Sequence, residues 1–153
     1  MPRLRPVHAQ HIANAAGYRS GLEELISHQL AGAGVPVQYE MFTMRYTIPE
    51  RLSRYTPDFV LPNGIIIETK GRFVTEDRKK HKLIREQYPN LDIRIVFSNP
   101  NSKIGKKSTT TYAMWCDRLG IPYAKRMIPL EWIRADPDKD RVEAARKILG
   151  WQL

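Results

Sequence analysis

The chain is poor in cysteine, in long apolar runs and in acidic side chains, and each shortage excludes a class of protein. Its 153 residues contain a single cysteine, Cys116, so neither an internal disulfide nor a cysteine-based zinc site can form. The longest apolar stretches, such as 65–67, fall far short of the roughly 18 residues that a membrane helix requires. The first residues lack the apolar segment of a secretion signal. These features predict a cytoplasmic protein with no membrane partner.

The charge of the chain is strongly unbalanced. Lysine and arginine number 25 against 16 aspartate and glutamate residues, which leaves a formal net charge of +9. With 42% hydrophobic residues the chain can still build a core, because folding at this length buries roughly 68–70% of the unfolded surface. The excess of cations indicates a polyanionic partner, and nucleic acid is favoured over a membrane surface.

The N-terminal third contains one strong helical pattern. Residues 1–17 show no periodicity and are expected to form a mobile basic arm. Apolar residues recur at helical spacing from Ser20 to Ala33, and Ser20 with Glu23 has the form of a capping box. Residues 37–47 are rich in aromatic and branched side chains and predict one long or two short strands, with 49–56 as a connector.

The rest of the chain alternates between strand and helix patterns. Two apolar segments, 58–62 and 65–69, flank Asn63-Gly64, a dipeptide that strongly favours a hairpin turn. Helices are expected over 75–88, 110–119, 130–134 and 140–149, strands over 91–97 and near Tyr123, and a loop over 99–108. This order predicts an α/β protein with a mixed sheet.

Four residues could support chemistry on this scaffold: Glu23, Asp58, Glu68 and Lys70. Glu68 and Lys70 share a sheet face because side chains alternate with a period of two. Carboxylates can hold a hard cation such as Mg²⁺, and a nearby ammonium can orient an attacking water or neutralise a transition-state phosphate. Pro-Asp followed about ten residues later by Glu-x-Lys resembles the restriction-endonuclease-like nucleases, although this spacing also occurs by chance.

The simplest hairpin conflicts with this site. A two-residue loop at Asn63-Gly64 would place Asp58 opposite Thr69, and the carboxylates of Asp58 and Glu68 would then point to opposite faces. The catalytic interpretation therefore requires a loop of three or five residues, a bulge, or a sharp bend near Asp58.

Longer runs make the resemblance specific. In order along the chain they resemble the phage endonuclease I family, the Holliday-junction resolvases of short-tailed phages. The runs are YRSGLE at 18–23, YTPDFVLPNGI at 55–65, ETKG at 68–71, DRKKH at 77–81, LDIRIVFS at 91–98 and IPLEWI at 128–133. The resemblance predicts a nuclease domain over 18–134, and the amphipathic pattern beyond it predicts a C-terminal helical tail over 135–153, where the resemblance gives no match.

The family resemblance implies a fold, a reaction and an assembly. The fold is a restriction-endonuclease-like mixed central sheet flanked by helices, in a homodimer with exchanged segments. Asp58, Glu68 and the Thr69 carbonyl would bind metal, Glu23 would complete the site from the partner chain, and Lys70 would assist the attacking water. The implied cofactor is Mg²⁺, for which Mn²⁺ is expected to substitute, with no small-molecule cofactor. The implied substrate is branched DNA, including four-way junctions, nicked to leave 5′-phosphate and 3′-hydroxyl ends.

Several basic residues are expected to contact DNA, because phosphate neutralisation dominates nucleic-acid affinity. They are Arg78, Lys79, Lys80, His81, Lys82, Arg85, Lys103, Lys106 and Lys107. A solvated helix face explains those on the helix equally well, and His81 could be an ordinary surface histidine. The sequence contains no helix-turn-helix or zinc-finger motif, which fits recognition of DNA shape.

Each candidate also has an ordinary structural explanation. Glu23 could serve only as the capping partner of Ser20, and Glu68 with Lys70 could be a solvated ion pair. Glu40 lies on a predicted strand, where a solvated strand face accounts for it as well as a role in the site does. Two alternative functions stay open: a sequence-selective or transposase-associated nuclease of the same superfamily, and a non-catalytic basic DNA-binding module.

Overall fold

The computed structural model describes residues 21–48 and 50–151, so the predicted arm over 1–17 and the capping residue Ser20 lie outside it. The helices are α1 (Gly21–Gly32), α2 (Thr75–Gln87), α3 (Tyr112–Leu119), α4 (Leu130–Arg134) and α5 (Lys139–Leu149). The strands are β1 (Met44–Ile48), β2 (Arg51–Tyr55), β3 (Phe59–Val60), β4 (Ile66–Lys70), β5 (Ile93–Phe97) and β6 (Tyr123–Lys125). The protein is therefore an α/β protein, as predicted.

The central sheet has four strands in the order β3-β4-β5-β6. β3 runs antiparallel to β4, whereas β4, β5 and β6 are mutually parallel, which confirms the predicted mixed sheet. Within the described residues, no helix is long and apolar enough to cross a bilayer.

A second, two-stranded sheet replaces the predicted connector. The segment from Arg51 to Tyr55 is a strand that pairs antiparallel with β1, from Met44↔Tyr55 to Ile48↔Arg51. The expectation of a connector over 49–56 was therefore wrong. Met44, Tyr46 and Tyr55 are buried on one face of this hairpin. Their burial stabilises the strand pairing, although the sequence of β2 is largely polar and does not indicate a strand.

The β3–β4 hairpin has a loop of three residues. Phe59 pairs with Ile67 and Val60 with Ile66, and the Leu61 amide donates to the Ile65 carbonyl at 2.8 Å. Gly64 closes the loop with φ of +89°, the left-handed conformation that three-residue hairpin loops place at this position. Three residues is one of the loop lengths that the catalytic interpretation requires, and the same register brings Asp58 opposite Glu68.

The two faces of β4 bury different elements. Ile67 packs with the α1 residues Ile26 and Leu30 on one face. Ile66 packs with Ile84 of α2 and with the β1–β2 hairpin on the other face. By strand alternation Glu68 belongs to the Ile66 face and Thr69 to the Ile67 face, so a site at the end of β4 receives side chains from both layers.

The C-terminal segment is a helix, as predicted, and it packs against the main core. Ala145 and Trp151 are buried in the same cluster as Ile66. The Arg141 guanidinium donates to the Asn63 carbonyl at 3.0 Å and contacts Asp92 at 3.3 Å. Residues 135–151 therefore help to hold the hairpin turn that orients β3 and β4.

Candidate metal and catalytic site

Three carboxylates from separate elements converge at the end of β3. One oxygen each of Glu23, Glu40 and Asp58 lies within 4.8 Å of the others. Glu23 comes from the first turn of α1 and Asp58 directly precedes β3, and both are almost fully buried. Repulsion among three carboxylates in a buried setting is costly, so the cluster is suited to binding a cation.

Asp58 is held in place by the strand opposite. Its Oδ2 accepts a hydrogen bond from the Thr69 amide at 2.8 Å and from the Thr69 hydroxyl at 2.9 Å. Burial and the nearby charge of Glu68 raise the pKa of Asp58 to about 8, although the Thr69 hydrogen bonds act in the opposite direction. The side chain is thus fixed in orientation while its charged form is destabilised.

Glu68 lies on the other side of Asp58, with two partners of its own. The Tyr55 hydroxyl donates to Oε2 at 2.5 Å, and the Lys70 ammonium lies 3.5 Å from Oε1. Burial raises the pKa of Glu68, while Lys70 and the Tyr55 hydrogen bond act in the opposite direction. Glu68 and Lys70 share a face, as the period of two predicts.

Lys70 is a protonated cation in this environment. Its Nζ lies 3.2 Å from Asp77 Oδ1, in addition to the contact with Glu68. Burial lowers the pKa of Lys70, but the charges of Glu68 and Asp77 outweigh burial and the pKa is raised overall. An ammonium that keeps its proton can orient water or stabilise negative charge, and it is a poor general base.

A second tyrosine contacts the site from the α1 side. The Tyr39 hydroxyl donates to Glu23 Oε2, and the Tyr39 ring packs against Phe59. Burial raises the pKa of Tyr39, and the hydrogen bond to Glu23 adds to the effect, so the hydroxyl stays a donor. Tyr39 and Tyr55 thereby fix two carboxylates that belong to different layers.

Glu40 joins the cluster, although its sequence position is explained equally well by a solvated strand face. Its φ is +47°, and its amide donates to the Asp58 carbonyl at 3.1 Å. This left-handed conformation takes Glu40 out of strand alternation, so an argument from period two cannot predict where its side chain points. No local sequence pattern identifies it, because its place depends on a main-chain contact with a residue 18 positions away.

The donor set suits a hard divalent cation. Carboxylate oxygens are the ligands that Mg²⁺ and related ions prefer, and Glu23, Glu40 and Asp58 supply them within 4.8 Å of one another, with Glu68 close enough to raise the pKa of Asp58. The contact of Asp58 with the Thr69 amide also brings the main chain of Thr69 beside the cluster. In the single chain described here, Glu23 reaches the Asp58 of its own chain.

A polar cleft of about 500 Å³ opens over Glu68 and Lys70. Its remaining walls come from the β1–β2 hairpin, from α2 and from Glu40. The lining residues are Glu40, Thr43, Arg54, Tyr55, Thr56, Glu68, Lys70, Asp77 and Lys80. Glu68 and Lys70 therefore line the cleft, whereas Asp58 does not and is 1% exposed.

The predicted DNA-contacting residues occupy different environments. Lys79, Lys80 and Lys82 line a groove of about 530 Å³ between α2 and the β1–β2 hairpin. Lys103, Lys106 and Lys107 are exposed on the loop before α3. These six are placed where a phosphate could reach them.

Three others have structural roles. Arg78 donates to the Phe73 carbonyl and Arg85 to the Gly120 carbonyl, so both guanidinium groups hold helix ends. His81 is 3% exposed and packs against the rings of Tyr55 and Phe73. Its expected contact with phosphate is not supported, because α2 turns His81 towards the core behind Tyr55.

Comparison with known proteins finds relatives that match most of the chain. A family model described as phage endonuclease I matches residues 5–148. Endonuclease I of Escherichia phage T7 is 49% identical over 132 residues, which are 86% of this chain and 88% of the relative. Endodeoxyribonuclease 1 of Enterobacteria phage T3 is 48% identical over 133 residues, which are 87% of each chain. On these matches, the chain belongs to the phage endonuclease I family.

Proposed function

We propose that this protein is a Mg²⁺-dependent, structure-selective DNA endonuclease that resolves four-way and other branched DNA junctions. The products are nicks with 5′-phosphate and 3′-hydroxyl ends. The observation that carries the proposal is the position of Asp58, which lies between Glu23 of α1 and Glu68 of β4 with Lys70 alongside. The name of the phage T3 relative, an endodeoxyribonuclease, supports DNA as the substrate.

Asp58, Glu68, the Thr69 carbonyl and Glu23 are the groups that would hold the ion, and Glu40 is close enough to Asp58 to contribute. A bound divalent cation supplies Lewis acidity and lowers the pKa of water at neutral pH. Tyr55 and Tyr39 orient the carboxylates of Glu68 and Glu23, respectively. Thr69 fixes Asp58, so the donor atoms are arranged before the ion arrives.

Lys70 acts as a fixed positive charge in this scheme. Its ammonium is anchored by Glu68 and Asp77 at the floor of the cleft. There it orients the attacking water and stabilises the negative charge that develops on the phosphate. Its raised pKa favours this electrostatic role over proton abstraction.

Branched DNA is proposed as the substrate because the chain combines high positive charge with no base-reading motif. A net charge of +9 supports binding through the phosphate backbone, which carries no sequence information by itself. Specificity then depends on the path of the DNA strands.

The proposed homodimer with exchanged segments has a simple route through the β1–β2 hairpin. The pairs from Met44↔Tyr55 to Ile48↔Arg51 are symmetric about the point between Pro49 and Glu50. β1 of one chain can therefore form the same pairs with β2 of a second chain when the turn opens. α1 precedes β1, so Glu23 would move with it to the Asp58 of the partner, and two such sites would nick a junction symmetrically.

The test is cleavage of a four-way junction and of a linear duplex with the same sequences, in Mg²⁺ and in EDTA. The expected result is Mg²⁺-dependent nicking of the junction and little cutting of the duplex. Asp58→Ala and Glu68→Ala should bind the junction without cutting it. Equal cutting of the duplex at one sequence would favour the sequence-selective nuclease, and binding without any cutting would favour the non-catalytic module.

A further inference from the structure

Two arginines face each other on the outer surface of the β1–β2 hairpin. The register places Arg45 directly opposite Arg54, and both side chains are exposed. Like charges opposed across an antiparallel pair destabilise the sheet, because their side chains lie on the same face. Within residues 21–48 and 50–151, neither guanidinium lies in an ion pair that would offset this repulsion.

The arginine pair is next to the catalytic cleft. Arg54 lines the cleft together with Thr43 and Thr56. The two threonines form the adjacent step on the same face, with their hydroxyl oxygens 2.8 Å apart. Successive cross-strand pairs on one face are about 6.8 Å apart along a strand, so the hydroxyl pair and the guanidinium pair follow one another outward from the cleft.

The two lysines that line the cleft are Lys70 and Lys80, and Lys70 is committed to carboxylates. Lys70 is already held by Glu68 and Asp77, and without a bound cation the carboxylates of the site repel a polyanion. A DNA strand that enters the cleft therefore depends on cations of its walls, which are Lys80 of α2 and Arg54 of the hairpin. Arginine suits this role, since its planar donors match phosphate oxygens.

We propose that Arg45, Arg54, Thr43 and Thr56 form a binding surface for the phosphates that flank the scissile bond in the DNA strand. This inference rests on the proposed function and assigns the outer face of the hairpin to its substrate. A phosphate between the two guanidinium groups relieves their repulsion. The arginine pair therefore lowers the stability of the free protein, and a bound phosphate offsets that loss in the complex.

Arg45→Ala, Arg54→Ala and the double variant test the surface, with Arg118→Ala as the matched control because Arg118 is exposed on α3, outside the cleft. Junction affinity is measured in EDTA at several salt concentrations. Single-turnover cleavage is measured in Mg²⁺ at saturating DNA, and Tm is measured without DNA. Arg54→Glu is added because its carboxylate would face Arg45.

Each alanine variant should bind more weakly and reduce the slope of log affinity against log salt by about 0.9, and the double variant by about 1.8. Cleavage at subsaturating DNA should fall with the affinity, and saturating DNA should restore most of the lost rate. Tm should hold or rise, and Arg54→Glu should raise Tm while weakening binding most. If a variant has a higher Tm than the wild type and binds DNA more weakly, misfolding is excluded as the cause of the weaker binding.

The proposal is overturned if the double variant keeps the affinity and salt slope of the wild type, or if Arg118→Ala loses as much affinity as the Arg45→Ala and Arg54→Ala variants. These outcomes are separate from failure of the proposed function. Wild-type protein that binds but never cuts in Mg²⁺ or Mn²⁺ would refute the nuclease assignment, while weakened binding by the arginine variants would still support the phosphate surface.

Discussion

Thr69 holds Asp58 with two hydrogen bonds to the same carboxylate oxygen, from its amide at 2.8 Å and from its hydroxyl at 2.9 Å. This contact joins the end of β3 to the strand that carries Glu68 and Lys70. The arrangement of the acidic site therefore depends on the register between β3 and β4. The same contact fixes an aspartate whose ionised form is unfavourable in the folded protein, and this has measurable consequences.

Metal should stabilise the protein through Asp58. The pKa of Asp58 is about 8 in the folded chain against an ordinary 3.8, so the folded state keeps a proton that the unfolded chain releases. Without metal, this group should make stability fall as pH rises from about 4 to about 8, since each pKa unit corresponds to about 1.4 kcal/mol. A divalent cation binds the ionised form, so Mg²⁺ or Mn²⁺ should raise Tm more at pH 8 than at pH 5.

Asp58→Asn should be more stable than the wild type at pH 8 without metal, and its Tm should respond little to Mg²⁺. The asparagine keeps an oxygen for the Thr69 hydrogen bonds and removes the charge. Asp140→Asn, an exposed change in the first turn of α5, is the control and should respond to metal like the wild type. A wild-type Tm that is insensitive to saturating metal at pH 8 would contradict the assignment.

Lys70→Ala should slow chemistry and leave binding nearly intact. Donors that stabilise developing charge typically contribute about 10²–10³ in rate, and a loss of that size is expected in single-turnover cleavage. Lys147→Ala, at a 76% exposed side chain of α5, should leave the rate unchanged. If Lys70→Ala instead lost affinity and kept its rate at saturating DNA, Lys70 would only be a phosphate contact.

Tyr55→Phe should raise the metal concentration needed for half-maximal cleavage, because it removes the 2.5 Å hydrogen bond that orients Glu68. Partners of metal-binding groups typically contribute about 10–100-fold to metal affinity or activity. Tyr46→Phe is the control, since Tyr46 is buried in the same hairpin and, within residues 21–48 and 50–151, its hydroxyl has no hydrogen bond to a carboxylate. The same metal dependence in both variants would show that the hydrogen bond has no such role.

Gly64→Ala should destabilise the protein and Gly32→Ala should not. At Gly64 the φ is +89° and a Cβ would lie 3.1 Å from the Val142 main chain, whereas at Gly32 no atom lies within 4 Å. Left-handed backbone at a residue with a side chain costs about 1–3 kcal/mol, and chemical denaturation of both variants would measure it. Equal stability of the two would mean that the turn does not hold the hairpin register.

A mixed dimer of one Glu23→Ala chain and one Glu68→Ala chain tests the exchange of segments. If Glu23 acts on the partner chain, both lesions fall in one site and the other site should nick one junction strand. If Glu23 acts within its own chain, both sites are damaged and the dimer is inactive. The chains are co-expressed with different tags and purified through both. A verified mixed dimer that binds DNA without nicking it would defeat the exchange.

Local patterns in the sequence predicted most elements. Helical spacing located α1, alternation located β5, and Asn63-Gly64 located a hairpin, because each depends on neighbours along the chain. The shared face of Glu68 and Lys70 followed from the strand period alone. The sequence did not predict β2, because its burial depends on the packing of Tyr55 against the core and not on a local pattern.

Distances between segments required the tertiary structure. The same Asn63-Gly64 dipeptide permits loops of two or three residues, and the choice depends on the Gly64 conformation and on Arg141, which approaches the turn from α5. Glu40 joins Asp58 only through a left-handed turn, and His81 is buried because α2 packs over Tyr55. Sequence determined which residues could bind metal or phosphate, since side-chain chemistry is local. Only packing decided which of them meet, because that depends on contacts between residues far apart in the chain.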